Sequence, residues 1–207
     1  MTGVVTHYLA GIVLGLGLIT PIGAQNVFVL GQGVSVGLPR ALWAVVAAAV
    51  CDTLLILLGA AGVGGLLTAV PGLRATMLGA GALFLAFLGV RALRSTVADH
   101  EPDAAPAAFT VRGVLGRTVA VSLLNPHAIL DTVGVIGAAI VAQPAAGRTL
   151  FTAGAVTASW LWFGVLGIGA ALARRFFTPR RRVWFDQFSG TVLIVFAVLL
   201  VVELVRG

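Results

Sequence analysis

The chain has no lysine, a single cysteine (Cys51) and only seven acidic residues in 207, so that 10% of it is charged. Soluble domains carry about 25% charged and about 45–50% apolar residues; here 59% are hydrophobic and the mean hydropathy is +1.09. So few ionic groups cannot clothe so large an apolar interior in water, and disorder is excluded by the same figures. One cysteine excludes a disulfide framework, a zinc or iron–sulfur module built on cysteine pairs, and thiol–disulfide electron transfer. With lysine absent, all 13 basic residues are arginine. A net charge of +6 would point to nucleic acid in a soluble chain. In an apolar one it is explained by loop charges that orient a membrane protein, and no nucleic-acid partner is expected.

What remains reads as one all-α transmembrane domain over residues 1–207. A spanning helix needs about 20 predominantly apolar residues, and six stretches qualify: roughly 6–30, 41–67, 73–93, 115–142, 150–173 and 183–205. The first lacks the basic start and small-residue cleavage site of a signal peptide and reads as a mature helix. The polar stretch 95–110, with Asp99, His100, Glu101, Pro102, Asp103 and Pro106, reads as a flexible loop. Six spans put both termini on one side. Arg40, Arg91, Arg94, Arg112, Arg117, Arg174, Arg175, Arg180, Arg181 and Arg182 flank the odd loops, against Arg74, Arg148 and Arg206 elsewhere. The positive-inside rule then places the odd loops in the cytoplasm and both termini outside.

The first and fourth stretches carry proline and amides in their middles: Pro21-Ile22-Gly23-Ala24-Gln25-Asn26 and Asn125-Pro126-His127. Pro21 precedes Pro126, and Asn26 precedes Asp131, by 105 residues; Arg40 and Arg148, like Gly59 and Gly167, are 108 apart. Such matches suggest two three-span repeats, about 5–95 and 112–206, joined by the loop 95–111. An odd number of spans inverts one repeat against the other, the plan of many secondary transporters, whose sites lie where helices are interrupted near the midplane. Chance matching of prolines in membrane helices is the plainer alternative. On the repeat reading, helices 1 and 4 are broken at Pro21 and Pro126, because proline removes a backbone donor and clashes with the turn before it. Gly23 would allow unwinding or close approach.

Of the acids, only Asp52 and Asp131 lie deep. Twelve residues separate Arg40 from Asp52, about 18 Å at ~1.5 Å per residue, beyond the middle of a ~30 Å hydrocarbon core. A charge there costs at least ~2.5–3.5 kcal/mol, so an intramembrane acid marks function by default. The alternatives are ion pairing, of Asp131 with Arg117 or Arg148, and protonation or a wet cavity that awaits a cation. Gln25, Asn26 and Asn125 either bind a zwitterionic solute beside the opened turns or serve as interhelical hydrogen-bond glue. His127, four residues before Asp131, would share its helix face; it is a proton relay or merely a satisfied imidazole. Ser159, Trp160 and Trp162 are candidates to line a cavity, the tryptophans for an organic cation or as packing. Gly11, Gly15 and the run from Gly59 to Gly65 read as close-packing faces, which also make a homodimer reasonable. No cofactor and no metal site are expected.

These residues resemble the LysE/ArgO family of lysine and arginine exporters. The first-span signature is carried by Thr20-Pro21-Ile22-Gly23-Ala24-Gln25-Asn26, the second-span acid by Cys51-Asp52-Thr53, the fourth-span motif by Leu124-Asn125-Pro126-His127-Ala128-Ile129-Leu130-Asp131, and the fifth by Gly154-Ala155 with Ala158-Ser159. The related threonine/homoserine exporters tend to carry Pro-Gly-Pro in the first span, where this chain has Pro21-Ile22-Gly23. The resemblance implies a bacterial inner-membrane exporter of L-lysine, L-arginine or an analogue, driven by the proton motive force. Asp52 and Asp131 would then hold substrate or proton, and Gln25, Asn26 and Asn125 its α-amino and α-carboxyl groups. Alternatives are a neutral amino acid, a divalent metal (disfavoured with one thiol), an intramembrane aspartyl hydrolase, and a structural membrane subunit.

Overall fold

A computed structural model describes residues 2–21, 23–62, 72–96 and 110–206. Most of the polar loop and the end of the second stretch therefore lie outside the described residues. Every regular element among the described residues is helical. In order these are α1 (Thr2–Ile19), α2 (Ala24–Val36), α3 (Leu42–Ala60), α4 (Leu73–Leu93), α5 (Val111–Leu123), α6 (Pro126–Ile129), a π-helical segment (Leu130–Ile136), α7 (Gly137–Val141), α8 (Ala145–Ala173) and α9 (Pro179–Arg206). A single 3-10 turn, Arg174–Phe176, ends α8.

Three of these helices are long and apolar enough to cross a membrane: Leu42–Ala60, Ala145–Phe176 and Pro179–Arg206. A fourth is reached if Val5–Ile19 and Ala24–Val36, which meet at 83°, are one bent span. Six such helices were expected. The remaining apolar helices, Leu78–Leu93 and Leu130–Val141, are shorter. The first stretch also runs farther than its hydropathy indicates, because α2 stays helical through Gln32, Gly33 and Ser35 to Val36. Gly33 lies so close to Gly167 and Ala170 of α8 that a Cβ there would strike both.

The outside of the bundle is apolar. Val13, Leu83, Val165 and Val205 are between 68% and 80% exposed, tolerable in lipid but a liability in water. In lipid, helices are held by close packing rather than by a hydrophobic force, and glycine supplies that closeness here. Gly11 and Gly15 of α1 press on Phe151, Ala155 and Ala158 of α8, and Gly154 on Tyr8. Gly59 of α3 presses on Val133 and Gly137, and Gly89 of α4 on Gly190 and Ile194 of α9. These glycines thus pack within the chain, whereas a Cβ on Gly62 would meet nothing within 4 Å and residues 63–65 of the glycine run lie outside the described residues.

The contacts also give directions. His7 meets Gly147 and Gly11 meets Phe151, so α1 and α8 run parallel. Leu55 meets Ile129 and Val133, and Gly59 meets Gly137, so α3 runs parallel to the π segment. Val45 meets Gly167 while Asp52 meets Ser159, which makes α3 and α8 antiparallel; Gly79 on Leu204 and Gly89 on Gly190 do the same for α4 and α9. At one end of the bundle Ser35 and Ser95 donate to Asp186 (3.3 and 2.9 Å), and Arg174 donates to the Val36 carbonyl at 3.3 Å. The ends of α2 and α4 and the start of α9 therefore gather there. His7 Nδ1, 3.0 Å from Gln143 Oε1, ties the start of α1 to the turn before α8 at the other end.

Candidate functional site

The backbone stops being helical twice in the apolar interior. Its first gap lies between Ile19 and Ala24, and Pro21 within it has no N–H to give. Asn26, one turn into α2, fills the gap: its Nδ2 donates to the carbonyls of Ile19 (2.7 Å) and Pro21 (2.8 Å), and its Oδ1 accepts from Trp162 Nε1 of α8 at 3.1 Å. Its polar atoms are thus engaged by the protein itself, and the tryptophan flagged as a cavity candidate is the clamp. Gly23 adopts extended backbone (φ −117°) open to any residue, and a Cβ there would meet nothing closer than 4.0 Å. The freedom expected of this glycine is not what the gap uses. The first N–H groups of α2 carry no side-chain cap.

The second gap is shorter, with α5 ending at Leu123 and Pro126 opening α6, a first-turn position that suits its missing N–H. Asn125 precedes it and is 6% exposed; its Oδ1 is buried without a hydrogen-bond partner. Within a few residues the helix widens into the π segment that holds Asp131 and Thr132, a geometry frequent at functional sites.

Asp52 stands between the gaps on α3, 3% exposed. Gln25 Nε2 donates to its Oδ1 at 3.1 Å and Ser159 Oγ to its Oδ2 at 3.2 Å. The carboxylate is held by two neutral donors and, among the described residues, by no arginine. Asp131 has an exposed side chain, and among the described residues no arginine pairs with it, neither Arg117, which donates to Gly113, nor Arg148, which donates to Gln143 and Val141.

A cavity of about 360 Å³ joins these groups, within the range of small-molecule sites. Pro21, Gly23, Gln25, Asn26, Asp52, Asn125, Asp131 and Thr132 line it with apolar Phe163 from α8 and Phe196 and Leu199 from α9. Residues chosen from two distant stretches of sequence therefore meet around one space. Three do not: Ser159 is fully buried behind Asp52, Trp162 is taken up by Asn26, and Trp160, 42% exposed, turns outward and donates to Thr53 Oγ1 at 3.1 Å. The side chains of His127 and Pro126 lie outside the described residues. Thr132, Phe163, Phe196 and Leu199 were not anticipated. Thr132 stood next to a chosen acid, whereas the other three are apolar residues in apolar helices and carry no sequence signal.

Chemically, the space is bordered by two carboxylates, an unsatisfied amide oxygen and the uncapped N-terminus of α2. Acceptors suit a cationic group, and helix N–H groups suit a carboxylate.

The sequence model of the LysE type translocator family matches residues 16–204. The chain is 42% identical over 174 residues, 83% of its length and 77% of the relative's, to "Putative amino-acid transporter YisU" of Bacillus subtilis (strain 168). It is 34% identical over 195 residues, 91% of its length and 90% of the relative's, to "Arginine exporter protein ArgO" of Enterobacter sp. (strain 638). Against "Arginine exporter protein ArgO" of Salmonella newport (strain SL254), identity is 32% over 203 residues, covering 93% and 92%. No solved structure matches it. With the match running through both helix gaps and the cavity between them, the chain belongs to the LysE family of membrane-embedded amino-acid transporters.

Proposed function

We propose that this protein exports basic L-amino acids, arginine, lysine or an analogue, across the bacterial inner membrane in exchange for protons. One observation carries the reading: two carboxylates border a single cavity between the helix gaps, and among the described residues no arginine neutralises either of them. A cation inside a bilayer needs fixed anions, and these are the deep ones. An inside-negative potential opposes exit of a +1 solute by ~2.3 kcal/mol per 100 mV, so export needs a coupled ion. Protonation of a carboxylate from outside would release the cargo and supply that coupling. The side chain would face Asp131 and Asn125 Oδ1, with the α-carboxylate at the N-terminus of α2. Asn26 would hold the first gap open in shape rather than touch cargo.

The 207 residues form one transporter domain on this reading, two inverted three-span repeats broken at Pro21 and Pro126. The helix directions support it. The parallel pair α2–α8 (Asn26 on Trp162, Gly33 on Ala170) has its counterpart in the parallel pair of the π segment and α3, while α3–α8 and α4–α9 are antiparallel pairs of equivalents. Loops bearing most of the arginines gather at one end, which the positive-inside rule puts in the cytoplasm, with both termini outside. An amino acid without side-chain charge, as in the threonine/homoserine exporters, is the second reading, and the paired carboxylates speak against it.

The test is counterflow in proteoliposomes loaded with arginine, lysine, homoserine or threonine, with pH gradients of both signs. The proposal expects exchange of arginine or lysine, accelerated by protons on the receiving side and lost in Asp131→Asn. Exchange of homoserine alone would overturn it.

A further inference from the structure

The arginine end of the bundle contains a feature that cargo handling does not use. Between residues 174 and 186 five arginines stand against one acid, Asp186, whose carboxylate already accepts from Ser35 and Ser95. The protein fixes several of these guanidinium groups in place. Arg174 reaches the Val36 carbonyl (3.3 Å), and Gly37 turns at φ +65°, where a Cβ would strike the Arg174 guanidinium. Arg181 reaches the Phe176 carbonyl at 3.4 Å, and Arg175 lies 4.8 Å over the Phe176 ring. Arg40 and Arg182 both sit close enough to Arg174 for their charges to oppose its own. Like charges held together in this way cost energy unless an anion joins them.

The second observation concerns donors. Nε of Arg174 and Nε of Arg182 are shut away from solvent and have no hydrogen-bond partner. A buried unsatisfied donor costs about 1–3 kcal/mol, more when charged, so two at one place call for a missing acceptor. Around them Phe176, Trp184 and Phe188 are 61–78% exposed, as aromatic residues are at the headgroup level of a bilayer. Guanidinium forks match phosphate oxygens in geometry and charge.

We propose that Arg174 and Arg182 form a binding site for a phosphate-bearing anion, taken from the headgroup of an anionic phospholipid or from free phosphate. The bound phosphate accepts from both Nε groups, neutralises the cluster and joins the end of α8 to the start of α9.

Purified protein in detergent is heated with phosphatidylglycerol, with phosphatidylcholine or with inorganic phosphate, and lipids that stay attached are counted by native mass spectrometry. Expected is an unfolding midpoint that rises with phosphatidylglycerol concentration, as any ligand of the folded state produces, and not with phosphatidylcholine. The shift should vanish in Arg182→Gln and in Arg174→Gln/Arg182→Gln and persist in Arg180→Gln/Arg181→Gln. A matching rise with inorganic phosphate assigns the site to the free anion; no rise with it assigns it to the lipid. Equal shifts with the two lipids, or a shift retained in Arg182→Gln, would overturn the site. Should the double variant not fold, the single variant and the count of attached lipids on the unmodified protein still decide.

Discussion

At the first helix gap the amide of Asn26 gives both its protons to the carbonyls of Ile19 and Pro21 and takes one from Trp162. At the second, the residue 105 positions later is Asp131, which has no proton to give when ionised and borders the cavity instead. Beside it the Oδ1 of Asn125 waits without a partner. The two gaps have the same ingredients, a proline and an amide in an apolar helix. One is closed by a donor from its own chain, and the other is left with acceptors facing open space. A gap closed from within holds a shape, whereas a gap of acceptors needs a cation or a proton from elsewhere. On the proposed function, the division of work between structure and transport follows from that difference of one atom type, nitrogen in Asn26 and oxygen in Asp131.

Exchanging the two chemistries is the sharpest way to break this comparison. Asp131→Asn gives the second gap the amide of the first. Removing one member of a charge pair made with the cargo costs about 2–5 kcal/mol, and tenfold per ~1.4 kcal/mol makes that roughly a 30-fold loss of arginine counterflow or more, with thermal stability retained. Wild-type counterflow in this variant would end the assignment. Asn26→Asp does the reverse and leaves two carbonyls without their donor. Unfolding in detergent should then show a loss of about 2–3 kcal/mol, partly restored on acidification, when the new acid gains a proton to donate. If stability is unchanged, the amide is not what closes the gap.

Smaller effects sharpen rather than break it. Ser159→Ala removes one of the two donors on Asp52; a hydrogen bond to a charged group is worth about 1.5–3 kcal/mol, so counterflow should fall about tenfold or more. Trp162→Phe removes one neutral hydrogen bond to Asn26, about 1 kcal/mol, and should lower the unfolding midpoint slightly with little change in the pH profile of counterflow. A large shift of that profile would instead place Asn26 in the proton path.

Much of this was legible from residue types alone. Charges are so rare in the apolar stretches that Asp52 and Asp131 announce themselves, and a proline next to amides marks each gap. The assembly of both gaps around one cavity follows from their matching positions. What was not legible is how each polar group is satisfied. Asn26 and Asn125 are the same residue in similar company, and the approach of Trp162 from α8 distinguishes the satisfied amide oxygen from the waiting one. Phe163, Phe196 and Leu199 are indistinguishable in sequence from the lipid-facing residues around them, because in a bilayer both faces of a helix are apolar. Six spans were expected, two of them broken at Pro21 and Pro126, and hydropathy, which registers apolar content, is blind to the widened turns that follow the second break.

One contact has a geometric meaning of its own. Asp52 and Ser159 are 107 residues apart, as are the hydrogen-bonded Thr53 and Trp160, between the spacings of 105 and 108 that relate the two halves. On the proposed inverted-repeat reading, each half touches the other through its own counterpart, as expected where a pseudo-twofold axis pierces the molecule. If the halves trade conformations to open first one way and then the other, every contact off that axis must change hands. The carboxylate of Asp52 would then sit at the fulcrum, the same neighbour on either side of the stroke.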